Sequence, residues 1–137
     1  MRKIMAASIS AGVIALATLG TASPASASWT NCGNGGDDDL GHWQVCYTIN
    51  GDGMYVDSVV GTAKRYDGGG AKSIHIEYVK AGDVHWKNTA QVTSNNFTNT
   101  QSVKGNVAKE GDYCAKLWVA WNGGHYWAGQ ACVNIHP

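Results

Sequence analysis

The stretch that decides the fold is Gly111–Ile135, GDYCAKLWVAWNGGHYWAGQACVNI. Two runs rich in Val, Trp, Tyr and Ala are joined by the turn-forming residues Asn-Gly-Gly, which is the pattern of a β-hairpin. With the turn centred on Gly123, Cys114 lies directly opposite Cys132. This register predicts a cross-strand disulfide, because opposite residues of a hairpin bring their Cβ atoms within bonding reach.

The same register predicts which residues share each face of the hairpin, because side chains alternate between the two faces of a strand. One face is apolar and is expected to join the core; it carries Tyr113, Ala115, Leu117, Val119 and Trp121 opposite Trp127, Ala131 and Val133. The other face is half polar and is expected to point outward. It carries Lys116, Trp118, Tyr126 and Gln130, with Trp118 opposite Ala128.

The preceding part of the chain shows the same kind of pattern. Turn signals such as NGDG, DGGG and KAGD recur at intervals of roughly 10–15 residues, and the segments between them are rich in Val, Ile, Tyr, Trp and Thr. This spacing is typical of an all-β antiparallel sandwich. We predict about seven strands, at 42–49, 54–65, 73–79, 83–92, 98–107, 112–121 and 125–135.

A second hairpin is predicted around the turn Lys80–Gly82. Its apolar face pairs Ile74, Ile76 and Tyr78 with Asn88, Trp86 and Val84, and its charged face pairs His75 with Lys87 and Glu77 with His85. One apolar and one charged face indicate a sheet that is solvated on one side.

The other two cysteines bracket an acidic segment, CGNGGDDDLGHWQVC, from Cys32 to Cys46. If Cys114 pairs with Cys132, the remaining two cysteines pair with each other. We therefore predict an acidic surface loop held by the Cys32–Cys46 disulfide. A calcium site formed by Asp37, Asp38 and Asp39 is the alternative interpretation, although the segment has only one near-copy of a calcium repeat that works by stacking.

The N-terminus predicts export. Residues 1–27 have a basic start, an apolar run and small residues at Ala25 and Ala27, as in a cleaved signal peptide. Residues 28–137 would then form one secreted domain with no membrane segment. Without Arg2 and Lys3 the ten Lys and Arg fall to eight against ten Asp and Glu, a net charge of about −2. The remaining basic residues are scattered, so no nucleic-acid partner is expected.

Aromatic residues are the best candidates for binding. The chain has six Trp and six Tyr but one Phe, and Trp and Tyr are favoured where one side of a ring packs and the other meets a partner. The strand pattern does not easily bury Trp29, Trp43, Trp118 and Tyr126, although these rings could instead shield the disulfides and the edges of a small core. We expect a binding surface formed by Trp118, Tyr126, Lys116 and Gln130.

Catalytic and metal sites have less support. The five histidines lie in no helical metal-ligand spacing, and His75 with His85 would supply only two ligands across a hairpin. All four cysteines are assigned to disulfides, and no serine lies in a strand–turn–helix elbow. Asp57 and Glu77 could form an acid–base pair only if the fold brings them together. No cofactor is expected.

The segment GDYCAKLW, Gly111–Trp118, resembles the strand of immunoglobulin domains in which a tyrosine shortly precedes a cysteine. This resemblance implies an Ig-like sandwich. The overall design, a signal peptide followed by about 110 residues with two short-range disulfides, is similar to small exported actinobacterial proteins, which include amylase inhibitors and chromoprotein carriers. Small subunits of secreted bacterial toxin assemblies share this general build.

From these observations we expect a secreted, non-catalytic recognition protein. Its most direct role would be to bind another protein, as an inhibitor, an adaptor or a subunit of a secreted toxin assembly. A carbohydrate-binding module that uses exposed Trp and Tyr is the alternative, and a small secreted hydrolase is the third hypothesis.

Overall fold

The computed structural model describes residues 27–137, which form nine antiparallel strands and, within that range, no helix. One sheet contains β1 (Ala27–Asp37), β2 (Gly41–Asp52), β3 (Tyr55–Arg65) and β7 (Asn96–Asn106). The other contains β4 (Lys72–Lys80), β5 (Val84–Asn88), β6 (Val92–Ser94), β8 (Gly111–Trp121) and β9 (Gly124–Ile135). The predicted all-β sandwich is confirmed, with nine strands rather than seven. The predicted signal peptide lies outside the described residues except for Ala27.

Two strands were not predicted, and each has a physical reason. The glycine-rich β1 was expected to be a loop, because glycine is depleted in strands. The predicted strand 83–92 divides into β5 and β6, which pair with different parts of β4. The break falls at the buried Thr89, which exchanges hydrogen bonds with Ile76: its amide donates to the Ile76 carbonyl and its hydroxyl accepts from the Ile76 amide.

The strand order is β1-β2-β3-β7 in the first sheet and β5-β4-β8-β9 in the second. The chain changes sheet from β3 to β4 and again from β7 to β8, while β3 pairs with β7 and β4 with β8. This interlocked arrangement is that of immunoglobulin-type sandwiches. At the corner before β8, the Tyr113 hydroxyl donates to the Lys109 carbonyl at 2.6 Å, which is the bonding of a tyrosine corner.

The core lies between the sheets and follows the alternation of each central strand. Fully buried side chains on the inner faces are Trp43, Val45, Tyr47, Ile49, Ile74, Ile76, Tyr78, Tyr113, Leu117 and Val119. Burying one such Val, Leu or Ile side chain stabilises the fold by about 1.5–3 kcal/mol. The predicted inner face of β8 is therefore confirmed from Tyr113 to Val119, whereas Trp121 is only partly buried.

Both predicted disulfides are present and both join neighbouring strands. Cys32 in β1 pairs with Cys46 in β2, with their Cα atoms 4.1 Å apart. Cys114 in β8 pairs with Cys132 in β9, with their Cα atoms 4.0 Å apart. Disulfides of this kind are typical of extracellular proteins.

One edge of the sandwich is closed, because the backbones of β1 and β9 touch. A Cβ on Gly33 would collide with the Gln130 carbonyl oxygen, and one on Gly35 would lie 2.6 Å from the Cα of Gly129. The Asn31 side chain also donates to the Cys132 carbonyl at 2.9 Å. Glycine within a strand commonly marks such a close approach of two backbones. The segment expected to be a loop is therefore the strand that closes the sandwich.

The opposite edge, between β5 and β7, is open. These strands belong to different sheets and do not pair with each other. Side chains bridge the gap instead: Lys87 Nζ donates to Gln101 Oε1 at 2.9 Å, and the Tyr78 hydroxyl donates to Asn99 Oδ1 at 2.9 Å. A cleft with two adjoining recesses, of about 330 and 350 Å³, lies along this edge.

The predicted register of the β4–β5 hairpin is wrong. Tyr78 lies opposite Lys87 and Val79 opposite His85, so Trp86 is an extra, bulged residue in β5. The turn residues Gly82 and Asp83 have φ values of 85° and 59°. Alternation alone does not predict a bulge. The predicted inner face of β4 is nevertheless right, since Ile74, Ile76 and Tyr78 are fully buried.

Candidate functional site

The candidate site lies at the tip of the β8–β9 hairpin, which turns more tightly than predicted. Trp121 lies opposite Gly124, so the loop has two residues, Asn122 and Gly123. Their φ values of 45° and 77° match the type I′ turn that Asn-Gly favours.

A bulge in β9 compensates for the tight turn. Lys116 pairs with Gln130, but Trp118 pairs with Trp127, so Ala128 and Gly129 together face Leu117. Gly129 has a φ of 133°, a conformation that favours glycine. The register is therefore as predicted from Gly111 to Lys116 and shifted by one residue from Trp118 to the tip.

This shift exchanges the faces of Tyr126 and Trp127. The prediction paired Trp118 with Ala128 and placed Tyr126 on the same face, and both statements are wrong. Trp127, expected in the core, shares the outer face with Trp118, whereas Tyr126 pairs with the buried Val119 and projects beyond the core. The Tyr126 ring meets Trp121 edge to face, with the ring centres 6.0 Å apart.

The result is a concentration of exposed aromatic surface. Tyr126 is 45% exposed and Trp127 48% exposed, and they are adjacent residues on opposite faces of one strand. Trp118 is half-buried beside Trp127. The hairpin tip therefore presents aromatic side chains on both of its faces.

Two histidines extend the outer face of this surface. His75 in β4 pairs with Trp118, and its ring meets that of His125 edge to face with the ring centres 5.2 Å apart. His125 Nε2 lies 3.2 Å from the side-chain nitrogen of Gln91. Burial lowers the pKa of His75 and the nearby His125 lowers it further, while Glu77 acts in the opposite direction. We call His75, Trp118, His125, Tyr126 and Trp127 the tip patch.

Lys116 and Gln130 lie farther from the tip, opposite each other on the outer face. Lys116 is held by Asp83, since its Nζ lies 2.6 Å from Asp83 Oδ1. Gln130 is exposed. The fold therefore keeps Lys116 and Gln130 on the face of Trp118, as predicted, but separates them from Tyr126. Whether any of the four contacts a partner stays a prediction.

The remaining aromatic candidates are buried to different extents. Trp43 is fully buried, and its indole nitrogen donates to the Leu40 carbonyl at 3.0 Å. The expectation that Trp43 is hard to bury is therefore wrong, because its side chain lies on the inner face of β2, which has β1 on one side and β3 on the other. Trp29 is partly buried and packs against the core.

The three aspartates form the turn between β1 and β2. Asp37 Oδ1 accepts hydrogen bonds from the amides of Asp39 and Leu40, at 3.0 and 2.8 Å. Asp38 Oδ1 lies 3.2 Å from His42 Nε2. Within residues 27–137 no group of three or more His, Cys, Asp or Glu side chains is arranged to hold a metal ion. Asp37 thus serves as a turn former, a common role of aspartate.

The suggested acid–base pair is not assembled. Asp57 lies in β3 of the first sheet, whereas Glu77 lies on the outer face of the second sheet and contacts His85 Nδ1 at 3.0 Å. In the part of the chain that the structure describes, there is also no helix long and apolar enough to cross a bilayer.

Prediction from the sequence missed Trp127, His75 and His125 as members of the site. One signal could have identified Trp127: Asn-Gly favours a two-residue turn, and that turn places Trp127 opposite Trp118. No comparable local signal links His75 to His125, because their contact depends on the pairing of β4 with β8.

No protein-family model, no curated protein and no solved structure matches this chain. A functional proposal for it therefore depends on its own geometry and chemistry.

Proposed function

We propose that this chain is an exported, non-catalytic recognition protein that binds another protein through the tip patch. The observation that supports this proposal best is the exposure of Tyr126 and Trp127, at 45% and 48%, on opposite faces of one hairpin. Large aromatic side chains exposed next to each other commonly mark an interaction site. Trp and Tyr are also the side chains most enriched among the residues that dominate binding energy.

The hairpin is suited to present these rings because it is already rigid. The Cys114–Cys132 disulfide and the type I′ turn hold the hairpin at its two ends. A preorganised surface loses little conformational entropy on binding, so more of the contact energy appears as affinity.

The arrangement of the rings favours a protein partner over a polysaccharide. A sugar chain is bound well by aromatic faces that form one platform, whereas the Trp121–Tyr126 and His75–His125 pairs are inclined at 74° and 73°. Tyr126 and Trp127 also point to opposite sides of the strand. A hairpin tip with aromatic side chains on both faces can enter a groove of a protein and contact both of its walls, as expected for an inhibitor, an adaptor or a subunit of a toxin assembly.

Carbohydrate binding is the second candidate, and one observation favours it. Trp118 and Trp127 are a cross-strand pair on the outer face of the sheet. The polar side chain of Gln91 contacts His125, which lies on the same face. The Trp118–Trp127 pair could stack against a sugar ring.

Export of the chain is part of the proposal. The signal-like residues 1–27 support it, and the two disulfides are consistent with an oxidising compartment. A single measurement would test this step: the N-terminal sequence of the protein recovered from culture fluid should begin at Ser28.

The binding test compares three proteins immobilised in their mature form: wild type, Trp127→Ala and Tyr66→Ala. Tyr66 is a matched control, because it is 56% exposed and lies in the loop after β3 rather than at the tip. We expect wild type and Tyr66→Ala to retain the same protein from culture fluid. Trp127→Ala should lose about 2 kcal/mol or more of affinity for it.

Two outcomes would contradict the proposal of a protein partner. Equal retention by wild type and Trp127→Ala would remove the tip patch as the binding surface. If wild type instead binds a polysaccharide, with a change in Trp fluorescence that Trp127→Ala abolishes, the second candidate would be correct.

A further inference from the structure

The open edge between β5 and β7 combines a lining of apolar and some polar side chains, among them Gln101, Ser102 and Asn106, with a basic rim. One recess is lined by Val59, Tyr78 and Val103, and the other by Ala81, Val107 and Tyr113, with Trp86 and Val103 common to both. Each recess exceeds the volume of about 300 Å³ at which small-molecule sites begin. Trp86 is the bulged residue of β5, and it is only partly buried against the core.

Three lysines surround these recesses. Lys87 lines the first recess, and Lys80 and Lys109 line the second. Lys80 Nζ lies 5.3 Å from the centre of the Trp86 ring, so its charge is held beside the apolar wall. Within residues 27–137, none of the three forms an ion pair with a carboxylate.

This concentration of positive charge contrasts with the rest of the molecule. The chain from Ser28 onward has a net charge of about −2, with eight Lys and Arg against ten Asp and Glu. A mainly apolar recess that has at its mouth Lys80 and Lys109, which form no ion pair with a carboxylate, complements a molecule with an apolar body and a single anionic group. A charge-assisted hydrogen bond to the head group would add to the burial of the apolar body.

We propose that the β5–β7 cleft is a binding site for a small anionic amphiphile, such as a fatty or aromatic carboxylate. The apolar body enters beside Trp86 and Val103, and the carboxylate faces Lys80 and Lys109. This site is separate from the tip patch, because the tip patch lies on β4, β8 and β9 and shares no residue with the cleft. The proposal of an amphiphile site can therefore be tested independently of the proposal of a protein partner.

The test uses dodecanoate as the probe, titrated into the mature protein below the concentration at which it forms micelles and followed by calorimetry and Trp fluorescence. We expect saturable binding of one dodecanoate per chain. In a two-dimensional NMR titration, the amide shifts should concentrate in β5, in β7 and in the segment around Lys109.

Two variants examine the chemistry of the site. Lys80→Gln/Lys109→Gln should weaken dodecanoate binding by about a hundredfold, because two charge-assisted contacts are lost and each corresponds to roughly a tenfold change. Val103→Glu should abolish binding, because residue 103 lines both recesses and the substitution introduces a carboxylate between them. Circular dichroism and thermal unfolding confirm that each variant is folded before binding is compared.

Matched controls separate this site from the remainder of the surface. Lys64→Gln/Lys72→Gln changes the charge by the same amount away from the cleft, and Trp127→Ala removes an aromatic ring from the tip patch. Both should bind dodecanoate as wild type does. Dodecyltrimethylammonium, which has a tail of the same length and a positive head group, should not bind.

The proposal is overturned by any of four results: no saturable binding of dodecanoate, equal binding of dodecyltrimethylammonium, unchanged binding by Lys80→Gln/Lys109→Gln, or loss of binding by Trp127→Ala. The last result would move the amphiphile site to the tip patch.

Discussion

The two edges of the sandwich join the same two sheets in opposite ways. Where β1 meets β9, glycines such as Gly33 and Gly35 allow the backbones to touch. Where β5 faces β7, side chains occupy the gap and leave a cleft on either side of Trp86. At the β1–β9 edge the glycines have no side chains, so the two backbones touch. At the β5–β7 edge the side chains between the strands hold the backbones apart.

The covalent bonds follow the same division. Each disulfide includes one strand of the closed edge, because Cys32 lies in β1 and Cys132 in β9. The strands of the open edge, β5 and β7, contain no cysteine. Local stability varies across a fold, and binding sites commonly occupy its less stable parts. The covalent constraints of the described chain are therefore concentrated at the closed edge.

The largest expected effect compares two tryptophans. Trp43 is fully buried next to the closed edge, so Trp43→Ala should destabilise the protein by about 4 kcal/mol. Trp86 is partly buried at the open edge, so Trp86→Ala should cost only about 1–2 kcal/mol. Urea unfolding of both variants measures the difference, and equal costs would show that the two edges are equally well packed.

The next prediction tests the close approach of β1 and β9 directly. A Cβ at residue 35 would lie 2.6 Å from the Cα of Gly129 and 2.7 Å from the Ala128 carbonyl oxygen. Gly35→Val should therefore destabilise the fold by about 3 kcal/mol through overpacking. The control is Gly70→Ala, since a Cβ at residue 70 meets no atom within 4 Å; it should change stability by less than about 0.5 kcal/mol. A Gly35→Val protein as stable as wild type would refute the backbone contact.

A pH titration tests the burial of the Tyr78 hydroxyl beside the open edge. Burial raises the pKa of Tyr78 to about 12, while the unfolded chain ionises near 10. Between pH 10 and 12 the folded state therefore binds more protons than the unfolded state. The contribution of Tyr78 to the free energy of unfolding is fully present below pH 10 and is lost as the pH rises through 12. We expect a loss on the order of 2–3 kcal/mol from this group, because each pKa unit corresponds to about 1.4 kcal/mol.

Thermal unfolding of wild type and Tyr78→Phe between pH 8 and 12 checks this expectation. The variant should show a shallower decline, because its residue 78 has no proton to lose. Parallel curves for the two proteins would indicate that Tyr78 does not contribute to alkaline unfolding.

The smallest effect concerns two neighbouring tyrosines, whose ring centres are 5.6 Å apart. The Tyr78 hydroxyl donates to Asn99, whereas the buried Tyr47 hydroxyl has no hydrogen-bond partner among the described residues. At pH 7, Tyr78→Phe should cost about 1 kcal/mol, while Tyr47→Phe should be neutral within about 0.5 kcal/mol. A substantial loss in Tyr47→Phe would mean that its hydroxyl is satisfied, for example by a buried water.

Much of the fold could be predicted where the signal is local. Alternation along Tyr113–Val119 correctly predicts the core face of β8, and the opposition of Cys114 and Cys132 correctly predicts both disulfides. β1 could not be predicted in this way, because CGNGG has no side-chain alternation. It is a strand through its pairing with β2, and its glycines allow the close approach of Gly129 and Gln130 in β9, nearly a hundred residues away.

The tip of β8–β9 contains two local signals that disagree by one residue. The cysteine pair requires the register found between Gly111 and Lys116, whereas Asn122-Gly123 favours a turn that shifts the pairing by one. The bulge at Ala128 and Gly129 reconciles them. The turn signal alone places Trp127 opposite Trp118 on the outer face, whereas the cysteine pair alone assigns the aromatic faces near the tip incorrectly.

The unpaired edge of β7 has a consequence for how molecules of this protein meet one another. An exposed strand edge invites a second copy to add its own strand, and such pairing can propagate into fibrils. In β7, Val103 and Lys104 together face Asp57, and Lys104 has a φ of 49°. This bulge turns the edge and adds a positive charge to it, which are two of the devices that interrupt intermolecular ladders. Both features of Lys104 therefore disfavour the addition of a strand from a second copy at this edge.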